Sequence, residues 1–256
     1  MNKYKLTEET ITTPGGAVLH RIQAVVDLKI ADGTTVTAGA RGGWVENECN
    51  LSQTGKAWVY DDARVYGKAH VSGNAMVYGG AEVYDNARIN GHAEVSGDAM
   101  VFGGAEVCGN ARVYDNAVVS GNAKVFGSAD VLACALVSGN AIVYDNARVY
   151  GHARVCGHAE VYGRAAVCGE AQVKDTNDYA VFKNTWSSGR FFTYTRSNGM
   201  WKVGCFYGTG EELIAKAYKD SELSGKCYEA IVRAQEYVDR ERNAHAEKDG
   251  GMDSPK

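Results

Sequence analysis

A six-residue period runs through the middle of the chain without a slip. From Ala57 to Ala171 every sixth residue is alanine, twenty in succession, and two residues after each stands valine, with Ile89 the one substitute. Two residues further on stands glycine or aspartate, from Asp61 to Asp175, with a single exception. Few folds accept a period of six, so this repeat constrains the chain more than its composition does.

Each hexad predicts a short strand followed by a sharp bend. Alternate side chains of a strand share a face, so the alanine and the valine point inward and the residue between them points outward. Glycine, aspartate and asparagine tolerate the left-handed backbone of a tight corner. Because one hexad cannot bury its apolar side alone, it must stack on neighbouring hexads. The sequence therefore predicts a mainly β solenoid.

The motif Ala-x-Val-x-Gly/Asp-Asn resembles the hexapeptide repeat of left-handed β-helix proteins, in which three hexads close a coil of eighteen residues. The likeness spans about residues 45–176. It implies a left-handed parallel β-helix of nearly seven coils, which would rise about 30 Å at the strand spacing of a sheet. The resemblance also raises the possibility of an acyltransferase, since enzymes of that class use such solenoids.

The two ends lack the repeat. Residues 1–44 alternate like strands around an Asp32-Gly33 turn and predict an N-terminal cap, because an open coil would present unpaired strand edges. Residues 177–245 predict a small α+β module, and 246–256 a disordered tail. Within the module we expect strands near 179–183, 190–196 and 200–206, a helix that begins at Thr209 with a capping box, and a second helix over about 223–242.

Residues eighteen apart should share a face of the solenoid, and one such column contains an apolar stripe. Two columns are mostly charged and predict solvated faces, whereas the third reads Arg64, Glu82, Met100, Val118, Leu136, Arg154, Gln172. A contiguous apolar strip usually marks a partner surface. We predict a homo-oligomer interface, a trimer by analogy with hexapeptide-repeat proteins, formed by Met100, Phe102, Val118 and Leu136. The alternative is that a terminal segment covers the stripe.

The segment 179–208 contains nine aromatic residues and four basic ones with no acidic residue, in a chain of net charge -4. Aromatic rings beside guanidinium groups suit an anionic ligand with a ring, such as a nucleotide. The candidate ligand-binding residues are Arg190, Phe192, Tyr194, Arg196, Trp201, Lys202 and Tyr207. The alternative is a small sheet whose aromatic residues pack against the two helices.

Catalytic and metal signatures are scarce in the sequence. His92, His152 and His158 replace the corner asparagine, which favours a structural role, and the solenoid contains no inserted loop such as acyltransferases usually carry. The seven cysteines are scattered without a Cys-x-x-Cys pair, so we predict no metal and no cofactor. The acidic net charge argues against binding of long nucleic acid, and no run of eighteen apolar residues suggests a membrane span. We therefore expect a cytoplasmic protein, and the residues favour a non-catalytic role while leaving catalysis open.

Val-Tyr-Asp-Asn-Ala recurs at 83–87, 113–117 and 143–147, and the chain also contains the lead-in 19–22 and the segment 204–212. Together these resemble small phage and prophage proteins, and the repeat is similar to YdcK-type repeat proteins. The resemblance implies the cytoplasm of an infected or lysogenic bacterial host. Our main hypothesis is a phage-type binding protein that sequesters or inhibits a host defence factor or a nucleotide-like immune signal. The alternatives are a hexapeptide-repeat acyltransferase and a structural virion component of the tail or fibre.

Overall fold

A computed structural model of the chain describes residues 2–30 and 33–250, with side chains up to residue 245. The chain divides into two compact units, the first ending at Asp178 and the second beginning at Tyr179. The first unit contains the repeat, and the second contains the predicted α+β module.

The repeat forms a parallel β-solenoid, as predicted. Each hexad contributes a two-residue strand that pairs in parallel with the strand eighteen residues later, so three hexads make one coil. Face 1 is built from the strands Arg64–Val65, Glu82–Val83, Met100–Val101, Val118–Val119, Leu136–Val137, Arg154–Val155 and Gln172–Val173. Face 2 is built from His70–Val71, Arg88–Ile89, Glu106–Val107, Lys124–Val125, Ile142–Val143 and Glu160–Val161. Face 3 is built from Trp58–Val59, Met76–Val77, Glu94–Val95, Arg112–Val113, Asp130–Val131, Arg148–Val149 and Ala166–Val167.

The interior of the solenoid consists of the repeated alanines and valines. Each of them from Ala57 to Val173 is at most 1% exposed, and Ile89 takes the place of one valine. Backbone amides of each coil donate to carbonyls of the next, as Met100 does to Ala117 at 2.9 Å. The parallel solenoid is therefore confirmed, and its left-handed winding stays a prediction.

The corners need a left-handed backbone at one residue in six. Glycine meets this need at most corners, but Asp61, Asp85, Asp115 and Asp145 also have φ between 51° and 60°. Each of these carboxylates accepts a hydrogen bond at 3.2 Å from the backbone amide eighteen residues later. Aspartate thus compensates for its less favourable backbone by binding the next coil. Ala133, with φ of 59°, has no such compensation from its own side chain.

The N-terminal segment extends face 1. Its antiparallel strands Tyr4–Thr12 and Val18–Ala24 lead to Arg41–Val45, which pairs in parallel with the first strand of face 1. The remaining elements of this segment are the strand pair Leu28–Lys29 and Thr35–Val36 and the 3-10 helix Glu48–Asn50. Its Tyr4 packs edge-on against Trp58, so the first strand of face 3 is buried. Of the predicted turn, Asp32 lies outside the described residues.

The second unit follows the 3-10 helix Thr176–Asp178 and is a four-stranded antiparallel sheet with two helices. Its strands are Tyr179–Lys183, Phe191–Thr195, Met200–Val203 and Phe206–Gly208, and its helices are α1, Gly210–Asp220, and α2, Glu222–Gly250. Thr209 caps α1 with the predicted capping box.

Two details of the second unit differ from the prediction. A turn at Gly204, with φ of 53°, divides the last predicted strand in two. Helix α2 continues beyond residue 242 to Gly250, because residues 243–249 contain alanine, glutamate and lysine and neither glycine nor proline. Residues 251–256 of the predicted tail lie outside the described residues.

Candidate functional site

The apolar stripe of face 1 forms one ridge, as predicted. Met100 pairs with Val118, and Val118 pairs with Leu136, so the three side chains stack in adjacent coils. Met100 is 37% exposed, and Val118 and Leu136 are half-buried. This accessible apolar ridge is the surface for which the oligomer interface is predicted, and the interface itself stays a prediction.

An aromatic stack lies along the corner between faces 1 and 2. Tyr66 stacks on Tyr84 with ring centroids 5.1 Å apart, and Tyr84 stacks on Phe102 at 4.8 Å. The Tyr66 hydroxyl donates to Glu82, which also forms an ion pair with Arg64 at 3.0 Å. Burial, and then the Glu82 charge, raise the pKa of Tyr66, so this phenol stays protonated. Phe102 therefore ends the stack beside the apolar stripe, in the predicted position.

Three charged or titratable side chains lie at the far end of the stripe. Arg154 follows Leu136 in the column of face 1, and its side chain is exposed. His152 occupies the corner just before the Arg154 strand, and His158 occupies the corner just after it. Both imidazoles are exposed, so one coil presents two titratable bases, one on each side of a guanidinium. We call His152, Arg154 and His158 the face 1 triad.

Sequence reasoning gave the corner histidines a structural role and overlooked that two of them, His152 and His158, flank a single strand. The signal was present, because His152 and His158 are one hexad apart and Arg154 lies between them. His92 differs, since it lies at the corner between faces 2 and 3, away from face 1, where its Nε2 contacts Asn74 Nδ2 at 3.1 Å. His70 Nδ1 bonds the Cys49 carbonyl at 2.6 Å.

Face 3 carries stacked opposite charges. Arg112 binds Asp130 with two hydrogen bonds at 2.9 and 3.1 Å, and Arg148 approaches the same carboxylate at 3.6 Å. The hydrogen bonds and charge of Asp130 raise the pKa of Arg112. Such pairs stabilise adjacent strands by a fraction of a kcal/mol each. Stacked neighbours of opposite charge therefore attract one another on this face.

In the second unit the seven candidate ligand-binding residues do not share one surface. Phe192, Tyr194 and Trp201 are at most 9% exposed and belong to the core between the sheet and the helices. Lys202 and Tyr207 pair across neighbouring strands on the opposite face of the sheet. The division follows from strand alternation, because Trp201 and Lys202 are adjacent residues and must point to opposite faces.

The two arginines of that set also differ in their surroundings. Arg196 Nε donates to Asp239 of helix α2 at 2.9 Å, and its Nη2 forms an ion pair with that residue at 2.8 Å. The Tyr194 hydroxyl donates to the same carboxylate. Burial and this hydrogen bond raise the pKa of Tyr194. Arg190 lies in an exposed loop. A nucleotide site would therefore have Arg190, Lys202 and Tyr207 as its accessible residues, and it stays a hypothesis.

No group of three or more metal-ligating side chains occurs among the described residues. All seven cysteines are free thiols, and burial raises the pKa of Cys108. Neither helix, over its described residues, is long and apolar enough to cross a membrane.

Comparison with known proteins identifies similarity in the repeat. A family model described as YdcK Beta solenoid repeat matches residues 57–73, 105–121, 135–151 and 143–157. The chain is also 36% identical, over 87 residues, to a protein of Escherichia coli (strain K12) named "Uncharacterized acetyltransferase YdcK". That alignment covers 31% of this chain and 25% of the relative, so the chain spans about a quarter of the relative's length. The solenoid of this protein is thus similar to YdcK-type β-solenoid repeats.

Proposed function

We propose that this protein is an acyltransferase that uses an acyl-CoA thioester and performs the transfer on face 1 of the solenoid. The repeat is similar to that of a relative named as an acetyltransferase, which favours this reading over our main hypothesis of sequestration. The observation that carries the proposal is the face 1 triad at the end of the apolar stripe.

The chemistry of the triad suits acyl transfer. A neutral imidazole of His152 or His158 would accept the proton of an acceptor amine or hydroxyl group as that group attacks the thioester carbonyl. The carbon–sulfur bond then breaks, and CoA leaves as the thiol once it takes up a proton. Arg154 offers charge-assisted hydrogen bonds to a phosphate of the donor. The apolar stripe offers contact area for the uncharged part of the same molecule.

The test is release of the CoA thiol from acetyl-CoA in the presence of a mixture of amine and hydroxyl acceptors. We expect turnover by the wild-type chain and a loss of about 100-fold in His152→Ala or His158→Ala, whichever residue is the base. His92→Ala is the matched control, because His92 is also a corner histidine but lies away from face 1. Absence of turnover over the whole acceptor mixture, or an equal loss in the control, would contradict the proposal.

A second candidate function is the sequestering protein, because the solenoid strands follow one another every six residues from Trp58 to Val173 with no inserted loop. In that case a cyclic nucleotide or an ADP-ribose derivative would bind without turnover. Calorimetry with these ligands tests this reading, and Lys202→Ala should weaken the binding. The acyltransferase proposal predicts instead that acetyl-CoA binds and that the His152 and His158 variants still bind it.

A further inference from the structure

A cleft of about 380 Å³ opens on face 3, next to the N-terminal segment. Pockets that hold small molecules begin at about 300 Å³, so the cleft is large enough for a compact ligand. It is not part of the face 1 triad, since His152 lies five coils away along the same corner. The cleft is lined by Thr34, Tyr60, Asp61, Met76, Tyr78 and Glu94.

The repeat itself places these side chains together. Met76 and Glu94 are paired outward residues of adjacent coils, and Tyr60 and Tyr78 are the first corner residues after two successive strands of face 3. Met76 is only 8% exposed and forms an apolar floor. Asp61 follows Tyr60 at the left-handed corner position. The cleft therefore combines an apolar floor, two phenol rings and two carboxylates.

Neither carboxylate forms an ion pair among the described residues. Arg112 is the next residue after Glu94 in the column, but it directs both Nε and Nη2 to Asp130 on its other side. Arg21 approaches the corner, yet it contacts the backbone carbonyl of Asp61 and the carboxylate of Asp62.

Each carboxylate of the cleft has one weak internal hydrogen bond. Asp61 Oδ2 accepts from the Gly79 amide at 3.2 Å, and Glu94 Oε2 accepts from the Tyr78 hydroxyl at 3.4 Å. The other oxygen of each carboxylate has no hydrogen bond in the described part of the chain. The described residues of the lining thus carry two negative charges and include no lysine, arginine or histidine.

We propose that this cleft binds a small organic ammonium compound, with its charged nitrogen at Glu94 and its hydrocarbon part on Met76, which pairs with Glu94 in the adjacent coil. Aromatic faces and carboxylates together favour a cation that carries an apolar body. A hard metal cation fits less well, because it requires six or more oxygen ligands. The proposal does not depend on acyl transfer.

The test is calorimetric titration of the full chain with butylamine, choline and spermidine, and with butanol as a neutral probe. We expect at least one ammonium probe to bind and butanol not to bind. Glu94→Gln should weaken binding of that probe about tenfold, because it removes one charge from the site. Added salt should weaken it further.

Glu160→Gln is the matched control. Glu160 accepts a hydrogen bond from the Tyr144 hydroxyl at 3.5 Å with the same sixteen-residue spacing, but it lies on face 2 outside the cleft. We expect the Glu160→Gln variant to bind the ammonium probe as tightly as the wild-type chain does. The circular dichroism of both variants should equal that of the wild type. Equal losses in the two variants, equal binding of butanol, or no binding of any ammonium probe at millimolar concentration would overturn the proposal.

Discussion

The corner between faces 1 and 2 offers a sharp test of how the coils are held together. Gly121 has φ of 67°, and a Cβ atom added to it would lie 2.9 Å from both N and O of Gly139 in the next coil. Gly121→Ala therefore adds backbone strain of about 1 kcal/mol and a contact that forces the coils apart, at a cost of about 1–3 kcal/mol. We expect a total loss of about 2–4 kcal/mol in the free energy of unfolding.

Gly121→Asp adds the same Cβ atom but should cost less. At the corner of Asp85 the carboxylate accepts a hydrogen bond from the Gly103 amide at 3.2 Å, and an aspartate at position 121 would reach the Gly139 amide in the same way. One such bond is worth about 1 kcal/mol, and aspartate tolerates the left-handed backbone better than alanine does. The aspartate variant should therefore be more stable than the alanine variant by about 1 kcal/mol.

Ala133→Gly tests the same reasoning in the opposite direction. Ala133 has φ of 59°, and its amide already donates to Asp115 in the preceding coil. Glycine removes the strain and keeps that hydrogen bond, so we expect a gain of about 1 kcal/mol.

The assay for all three corner variants is equilibrium unfolding in urea, followed by far-ultraviolet circular dichroism. Gly163→Ala is the control for strain alone, because its φ is also 67° and an added Cβ atom meets nothing within 4 Å. A Gly121→Asp variant that is less stable than Gly121→Ala would refute the stabilising hydrogen bond of the corner aspartate. A destabilised Ala133→Gly variant would refute the backbone strain at Ala133. Equal losses in Gly121→Ala and Gly163→Ala would refute the close contact between coils.

Two further perturbations follow from single residues. Burial lowers the pKa of Lys3 from 10.5 to about 8. Between these two values the unfolded chain keeps the ammonium proton that the folded chain has lost, so a rise in pH favours the folded state. We expect the free energy of unfolding to rise by about 1–2 kcal/mol from pH 7.5 to roughly pH 10. Urea titrations should show a smaller rise in the free energy of unfolding for Lys3→Met, and an identical rise would exclude Lys3 as its source. We also propose self-association through the apolar stripe. Light scattering should then show a smaller mass for Val118→Asp than for Lys124→Asp, a control on face 2. Equal masses of the two variants would contradict that interface.

Much of the first unit could be predicted because its repeat is local. Alanine and valine at fixed spacing determine which side chains point inward, and an unbroken register then determines which residues stack eighteen apart. That is why the sequence alone assigns Met100, Val118 and Leu136 to one ridge. The same register contained the face 1 triad, which was missed because each histidine was interpreted as a corner residue and not as a neighbour of the Arg154 strand.

What only the tertiary structure determined lies where the repeat ends. The alternation of residues 191–207 indicates two faces of a sheet, but packing against α1 and α2 decided that Phe192 and Trp201 face inward, which leaves Lys202 on the other side. Likewise no local pattern brings Thr34 and Glu94 to the same cleft, because that depends on where the N-terminal segment lies along the solenoid. In a periodic sequence the fixed spacing of the repeat determines which residues are neighbours in space. Contacts between unlike segments depend instead on which apolar surfaces can bury one another.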